Sequence, residues 1–221
     1  MDNLMSFFIF AFIAIFVIVN PLSGLFTFMS MTSGYSKKSK NAYAKKSIFL
    51  AACLSIFFAV AGSFILQLFN ISIDALRIAG GLILISVGFN MMTAKVNPVV
   101  SQTEIVESTD KDFWIFPIAI PLLCGPGTIS TVTVLSGTAT AVADIAVILV
   151  AIASVYIISY IMFRSSEIIS RYISYTGMLV ITRLLGLLLT AIAVGMVMAG
   201  LHNYLLELLQ AFFTPIINTA V

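Results

Sequence analysis

Charged side chains are scarce in this sequence of 221 residues: Asp, Glu, Lys and Arg make up 9%, whereas hydrophobic residues make up 61%. Soluble domains usually carry about a quarter charged residues, so a water-soluble monomer is excluded. A mean hydropathy of +1.13 excludes a disordered chain. The net charge of only +2 leaves no basic face for nucleic acid. The composition therefore indicates a protein embedded in a lipid bilayer.

Cysteine and histidine are also rare. Cys53 and Cys124 fall within apolar runs, and His202 is the single histidine. With so few ligating side chains, we predict no metal site and no cofactor. The sequence also lacks an intramembrane pair of aspartates and a serine–histidine pairing within reach. We therefore expect that the protein is not an enzyme.

What the sequence has in quantity is long uncharged runs. A helix needs about 20 apolar residues to cross a hydrocarbon core of about 30 Å, and six runs approach or exceed this length. We predict an all-α membrane protein with six transmembrane helices in a single transmembrane domain, residues 1–221. The uncharged runs cover residues 3–36, 47–73, 78–94, 113–143, 145–163 and 184–206.

Basic residues are concentrated in three of the predicted connections. With six crossings, ten of the eleven Lys and Arg residues fall at connections 1–2, 3–4 and 5–6, and only Arg77 falls on the other side. Cytoplasmic loops of membrane proteins carry the excess of Lys and Arg. This distribution predicts that the three connections are cytoplasmic, that both termini lie outside, and that the protein resides in the cytoplasmic (inner) membrane.

The two halves of the chain resemble each other. Arg77 opens the segment RIAGGLIL and Arg183 opens RLLGLLLT. Because each half would contain three helices, the second half would be inverted in the membrane, as is common in secondary transporters. We predict repeat one at about 1–94, a cytoplasmic loop at 95–112, repeat two at about 113–205, and a short C-terminal tail. Chance similarity between Leu- and Gly-rich helices is the alternative.

Helix-breaking residues lie within the first and fourth predicted helices. Asn20-Pro21 interrupts the first helix and Gly125-Pro126-Gly127 the fourth, because proline removes a backbone donor and clashes with the preceding turn. We predict that helices 1 and 4 are broken mid-membrane, with simple proline kinks as the alternative. Restarted half-helices would direct N–H groups at a cavity. The predicted substrate-binding residues are Asn20, Pro21, Ser23, Gly24, Thr27, Gly125, Pro126, Gly127, Thr128 and Thr131.

Three further polar residues are candidates for a supporting role. Arg77 and Arg183 either extend to the membrane interface and set orientation, or turn inward toward a half-helix or the substrate. Asn90 either makes an interhelical hydrogen bond or faces the cavity. The residues alone do not separate these alternatives.

Small residues recur every four positions on the second and sixth helices. Such spacing is typical of close packing between membrane helices, so we interpret these residues as packing seams. They are Ala51, Ser55, Ala59 and Ser63, and Ala191, Gly195 and Ala199.

Three segments carry a resemblance to a known family. NPLSG at 20–24, RIAGGLILISVGFNMM at 77–92 and PIAIPLLCGPGTISTV at 117–132 resemble the MarC family of integral membrane proteins, which is similar to SnatA-type small neutral amino-acid transporters. The resemblance implies six membrane crossings and transport of glycine, alanine or similar solutes. It places family motif positions at Asn20, Pro21, Gly24, Pro121, Gly125, Pro126 and Gly127.

The residues and the resemblance lead to the same expectation about cargo. Half-helix N-termini suit a carboxylate, and the lack of acids deep in the apolar runs suits a zwitterion rather than a cation. We expect a transporter of small neutral amino acids that uses alternating access around the two broken helices. A passive channel or exporter of small polar solutes is the alternative. Sodium or a proton would be the coupling ion, and the sequence leaves a monomer and a homo-oligomer equally open.

Overall fold

The described residues of the computed structural model, 2–93, 113–172 and 175–219, form helices and connections, with no strand among them. The loop predicted at 95–112 lies outside these residues. In chain order the elements are α1 (Asp2–Val19), α2 (Pro21–Met31), α3 (Lys37–Leu68), α4 (Ile73–Thr93), a wide-turned segment (Trp114–Leu123), α5 (Pro126–Gly137), α6 (Val142–Arg164), α7 (Ser166–Tyr172) and α8 (Tyr175–Thr219).

Five of the helical stretches in the described residues are long and apolar enough to cross a membrane. One of them, Leu4–Met31, combines α1 and α2. The wide-turned segment and α5 bend by 50° relative to each other and make a sixth crossing if they are counted as one span. The prediction of an all-helical, multi-pass membrane protein is confirmed, with five or six candidate spans.

The final helix is longer than its uncharged run. The sequence predicts the last span within 184–206, whereas α8 extends over Tyr175–Thr219. Arg183 and Glu207 delimit the run but do not end the helix, because both residue types are good helix formers. Charge therefore marks where the apolar stretch ends and not where the helix ends.

The basic start of α3 lies at the same end of the bundle as α7 and the start of the wide-turned segment. Lys40, at the start of α3, pairs with Glu167 of α7 at 3.5 Å. Lys46 lies over the ring of Trp114, 5.3 Å from its centroid. These contacts bring the start of α3 to α7 and to the start of the wide-turned segment.

Two groups of helices position the interruptions. The segment Trp114–Leu123 and helices α1, α2, α3, α5 and α6 contribute to one apolar core. α8 packs along α4 so closely that a Cβ atom added at Gly88 would lie 2.8 Å from the Gly186 carbonyl oxygen, and one added at Gly186 would lie 2.9 Å from that of Gly88. Backbones approach this closely in membranes where small residues face each other. The first and fourth spans belong to the first group, and through α1 and α5 they also contact the α4–α8 pair.

Candidate functional site

The first interruption is the single residue Asn20 between α1 and α2. Its backbone is left-handed (φ 47°, ψ 64°), and its side-chain oxygen accepts a hydrogen bond from the backbone N–H of Ser23 at 3.3 Å. Pro21 follows at the first position of α2, where the missing N–H costs nothing. The Asn20 amide also donates to the sulfur of Met91 on α4 at 3.3 Å. Asn20 therefore ends one helix, caps the next, and contacts the third span.

The second interruption is longer and has a different structure. The wide-turned segment contains cis peptide bonds before Pro117 and Pro121, with extended backbone at Phe116 and Ile120. Gly125 precedes α5, and a Cβ atom there would collide with the Pro121 carbonyl oxygen. Within the part of the chain that the structure describes, no side chain caps α5. The first N–H groups of α5 thus lack the partner that Asn20 supplies to α2.

A buried polar cluster surrounds the second interruption. The Leu123 carbonyl oxygen accepts hydrogen bonds from the Thr128 hydroxyl at 3.3 Å and from the Tyr156 hydroxyl at 3.1 Å. Since Tyr156 donates to Leu123, the Ser55 hydroxyl is the donor in its 2.7 Å contact with Tyr156, and the sulfur of Cys124 at 3.4 Å is its weaker alternative acceptor. Side chains from α3, α5 and α6 therefore fix the end of the wide-turned segment.

Ser55 was predicted to belong to a packing seam, and Tyr156 was not predicted to belong to any site. A signal was present for Tyr156, because a tyrosine in the middle of an apolar run needs a partner for its hydroxyl when it is buried. Ser55 and Tyr156 are both buried, as are Leu123, Cys124 and Thr128. The cluster depends on contact between Ser55 and Tyr156, which lie about a hundred positions apart in the chain. No local sequence motif contains both residues.

The two interrupted spans contact each other. A Cβ atom added at Gly24 on α2 would lie 3.1 Å from Leu123 of the wide-turned segment, and one added at Gly127 on α5 would collide with Leu84 and lie 3.6 Å from Ile18 of α1. Glycine at both positions therefore permits close packing. The structure brings Gly24 and Gly127, both predicted site residues, to the contact between the spans.

A cavity of about 400 Å³ lies between α1, α4, α5 and α8. Thr131 of α5 is 5% exposed and lines the cavity, and its hydroxyl has no hydrogen-bond partner among the described residues. The other walls are almost entirely apolar. The lining residues are Phe10, Ala14, Arg77, Thr131, Val134, Leu135, Thr138, Ile192, Gly195, Met196 and Ala199.

Arg77 is the one charged residue among the described residues that line the cavity. Its Nη1 atom donates to Asp74 Oδ1 at 2.8 Å, and Asn203 of α8 donates to the same oxygen at 3.1 Å. The Arg77 side chain is only 13% exposed. Arg77 pairs with Asp74 of its own helix and not with a half-helix, so the choice between its two predicted roles stays open to test.

The other predicted residues are distributed around the interruptions. Thr27 is partly buried and donates to the Ser23 carbonyl oxygen at 3.3 Å, and Pro126 is exposed. Asn90 and Arg183 are exposed and do not line the cavity. Of the ten predicted substrate-binding residues, only Thr131 lines it. The cavity therefore coincides with one of the ten predicted positions, and neither Asn20 nor the segment 113–125 lines it.

The packing seam predicted on the sixth helix is not covered by other described helices of the chain. Ala191, Gly195 and Ala199 are all exposed, so packing of this seam between protomers stays a prediction. Nothing lies within 4 Å of a Cβ atom added at Gly195, and Gly195 and Ala199 line the cavity. Small residues accompany both close helix packing and open space, and spacing alone does not distinguish the two.

Among the described residues there is no cluster of three or more His, Cys, Asp or Glu suited to a metal ion.

Comparison with known proteins places the chain in a family. The family model described as "MarC family integral membrane protein" matches residues 5–205. The "UPF0056 membrane protein YvbG" of Bacillus subtilis is 38% identical, with 90% of this chain and 95% of that protein covered. The "UPF0056 membrane protein MJ1677" of Methanocaldococcus jannaschii is 35% identical (91% and 99% covered), and the "UPF0056 membrane protein YhcE" of Escherichia coli is 33% identical (87% and 90% covered). No solved structure matches.

Proposed function

The chain belongs to the MarC family of integral membrane proteins, and on that premise we propose that it is a secondary transporter of small neutral amino acids such as glycine and alanine. The names of its relatives specify a membrane protein and no solute. The proposal therefore depends on the chemistry of the interrupted spans and on the resemblance of its motifs to SnatA-type transporters.

The observation that carries the proposal is the contact between the two interrupted spans. Irregular backbone at membrane depth is stable only where protein covers it or where it lines a cavity, and many secondary transporters bind solute between discontinuous helices. Here Gly24 packs against Leu123, and Gly127 packs against Ile18 and Leu84. This arrangement supports one solute site between two inverted repeats, with one interrupted helix from each.

The chemistry around the second interruption suits a zwitterion. The N–H groups at the start of α5 and the helix dipole attract a carboxylate, and α5 lacks a side-chain cap among the described residues. Thr131 adds a hydroxyl without a partner. Among the described residues, no acidic side chain lines the cavity, which disfavours a cationic solute. A neutral amino acid satisfies these conditions.

The two ends of the bundle support alternating access. The cavity is lined by Phe10 and Ala14 from the middle of α1, by Arg77 near the start of α4, and by the C-terminal part of α5. Toward the end that carries the basic connections, the rings of Phe28 and Phe163 pack 4.9 Å apart, and both are buried. A passive channel needs a continuous path, whereas a transporter closes one side at a time. We propose that the two repeats rock against each other to open that end.

The proposal also includes the orientation of the protein in the membrane, its coupling ion and its oligomeric state. The orientation follows from the distribution of basic residues. The basic connections face the cytoplasm, so both termini lie outside the cytoplasmic membrane. The coupling ion is sodium or a proton, and the chain acts as a monomer or a homo-oligomer. We propose no enzymatic activity, because the sequence holds a single histidine and no intramembrane pair of aspartates.

Flux measurements test the proposal. The purified protein is reconstituted in liposomes, and uptake of labelled glycine and alanine is followed with an inward gradient of sodium, of protons, or of neither. We expect protein-dependent uptake that exceeds equilibration under one gradient. Asn20→Ala should reduce this uptake, whereas Asn90→Ala, at an exposed asparagine on α4, should leave it unchanged. Absence of flux for glycine, alanine and related polar solutes would overturn the proposal.

A further inference from the structure

The cavity between α1, α4, α5 and α8 has more apolar wall than glycine or alanine needs. Its volume of about 400 Å³ falls in the range of ligand pockets, which begins at about 300 Å³. We propose that this cavity is a binding site for a neutral amino acid with a larger aliphatic side chain. The proposal rests on the transport function above and deepens it, because it names the solute class that the site would accept.

The polar groups of the cavity fit the charged end of such a solute. A guanidinium carries five N–H donors, and the Asp74 contact of Arg77 uses Nη1, so donors remain for a second carboxylate. Thr131 lines the cavity, and its hydroxyl is covered and without a partner among the described residues; rotation about χ1 would turn this hydroxyl toward the cavity as an acceptor for an ammonium group. Because Asp74 balances Arg77, the site as a whole favours a ligand with no net charge.

The apolar walls fit the other end of the solute. Ala14 of α1, Val134 of α5, and Ile192 and Met196 of α8 line the same space as Arg77 and Thr131. An aliphatic side chain placed there leaves water for an apolar surface, which contributes about 25 cal/mol per Å² of buried area. Glycine gains none of this contribution. The cavity therefore discriminates by side-chain size in favour of the larger solute.

Gly195 gives a way to fill the cavity without disturbing the fold. Nothing in the described chain lies within 4 Å of a Cβ atom added there, and Gly195 lines the cavity. Leucine is also a better helix former than glycine. Gly195→Leu should therefore occupy the space of the solute's side chain while α8 remains intact.

A binding experiment on the full chain in liposomes tests the proposal. The probes are labelled leucine, labelled glycine, and 4-methylpentanoate, which has the carboxylate and alkyl group of leucine but no amino group. We expect wild-type protein to bind leucine more tightly than glycine. Gly195→Leu should weaken leucine binding by about tenfold or more, which corresponds to about 1.4 kcal/mol, and should change glycine binding by less than about twofold. The matched control is Ala191→Leu, which is exposed one turn earlier on α8 and does not line the cavity; it should change neither.

Two further variants keep the test decisive. Ala199→Leu narrows the same cavity and replaces Gly195→Leu if that variant fails to fold. Thr131→Val removes the hydroxyl with little change of shape, and it should weaken leucine binding by about tenfold. It should affect 4-methylpentanoate much less, since that probe has no ammonium group to pair with the hydroxyl.

The outcomes separate the two proposals. If glycine and alanine are transported but leucine neither binds nor competes, the cavity proposal is overturned and the transport function stands. If no amino acid is transported, the transport function is overturned. In that case, binding of 4-methylpentanoate that is lost in Gly195→Leu would support an aliphatic carboxylate site, and its absence would overturn the site as well.

Discussion

The two interruptions use similar residue types but are stabilised in different ways. At the first, Asn20 supplies its own cap to α2 through the Ser23 N–H. At the second, Gly125 has no side chain, and the neighbouring Leu123 carbonyl oxygen is held by Thr128 and by Tyr156 of α6. The first interruption is therefore specified mainly by its own residues, and the second by the helices packed around it.

This difference predicts where each interruption is vulnerable. Substitutions that change packing should damage the second interruption most, since its geometry depends on α3, α4 and α6 meeting correctly. Substitutions at Asn20 should have smaller, separable effects on the cap and on the backbone. The following variants, ordered from the largest expected effect to the smallest, test this comparison.

Gly127→Leu should have the largest effect. A Cβ atom at Gly127 already collides with Leu84 and approaches Ile18, so a leucine forces the first, third and fourth spans apart. Overpacking a well-packed site costs about 1–3 kcal/mol and sometimes more; here we expect about 3 kcal/mol. Thermal unfolding of the detergent-solubilised protein measures the loss.

Gly195→Leu is the matched control for this prediction. It makes the same change at a glycine with no atom within 4 Å of the added Cβ, and it should leave the unfolding temperature equal to or above that of the wild type. Equal destabilisation by both variants would contradict the contact between the interrupted spans.

Tyr156→Phe should have the next largest effect. It leaves the Ser55 hydroxyl and the Leu123 carbonyl oxygen with one partner fewer in a buried environment. A lost partner for a buried polar group costs about 1–3 kcal/mol, and we expect about 2 kcal/mol in thermal unfolding. The double variant Ser55→Ala/Tyr156→Phe should cost less than the sum of the two single variants, because both act on one hydrogen-bonded cluster. Strict additivity would show that the cluster does not act as a unit.

The same difference decides what the sequence could predict. The presence of five or six apolar spans and the cap at Asn20 before Pro21 depend on neighbouring residues, and they can be predicted from them. Thr131 and Arg77 line the cavity, and their roles at a binding site stay predictions. Tyr156 was missed, and the contacts of Ser55 and the open space at Gly195 were not predicted, because they depend on which helices meet. Periodicity shows that a residue shares a helix face, but it does not show what that face contacts.

Asn20→Ala should have a moderate effect. The variant loses the cap, which costs about 0.5–2 kcal/mol, and it places alanine in a left-handed conformation that costs a further 1–2 kcal/mol or so. Part of this cost is relieved if the helix end rearranges, so we expect a total of about 1.5 kcal/mol. Thermal unfolding and glycine uptake should both decrease. Wild-type values for both would contradict the role of Asn20 at the first interruption.

Asn20→Gly should have the smallest effect and separates the two components. Glycine adopts the observed φ of 47° without strain, and glycine at an N-cap costs only a few tenths of a kcal/mol relative to asparagine. It also removes the Met91 contact, which is weak because sulfur is a poor acceptor. We therefore expect the free energy of unfolding of Asn20→Gly to be about 0.5 kcal/mol lower than that of the wild type and clearly higher than that of Asn20→Ala in the same thermal assay.

If glycine is as damaging as alanine, the first interruption depends on the asparagine side chain and not on its backbone conformation. The two interruptions would then have no requirement in common. If glycine is tolerated, a left-handed residue before Pro21 is the essential requirement, and the first interruption differs from the second chiefly in carrying its own cap.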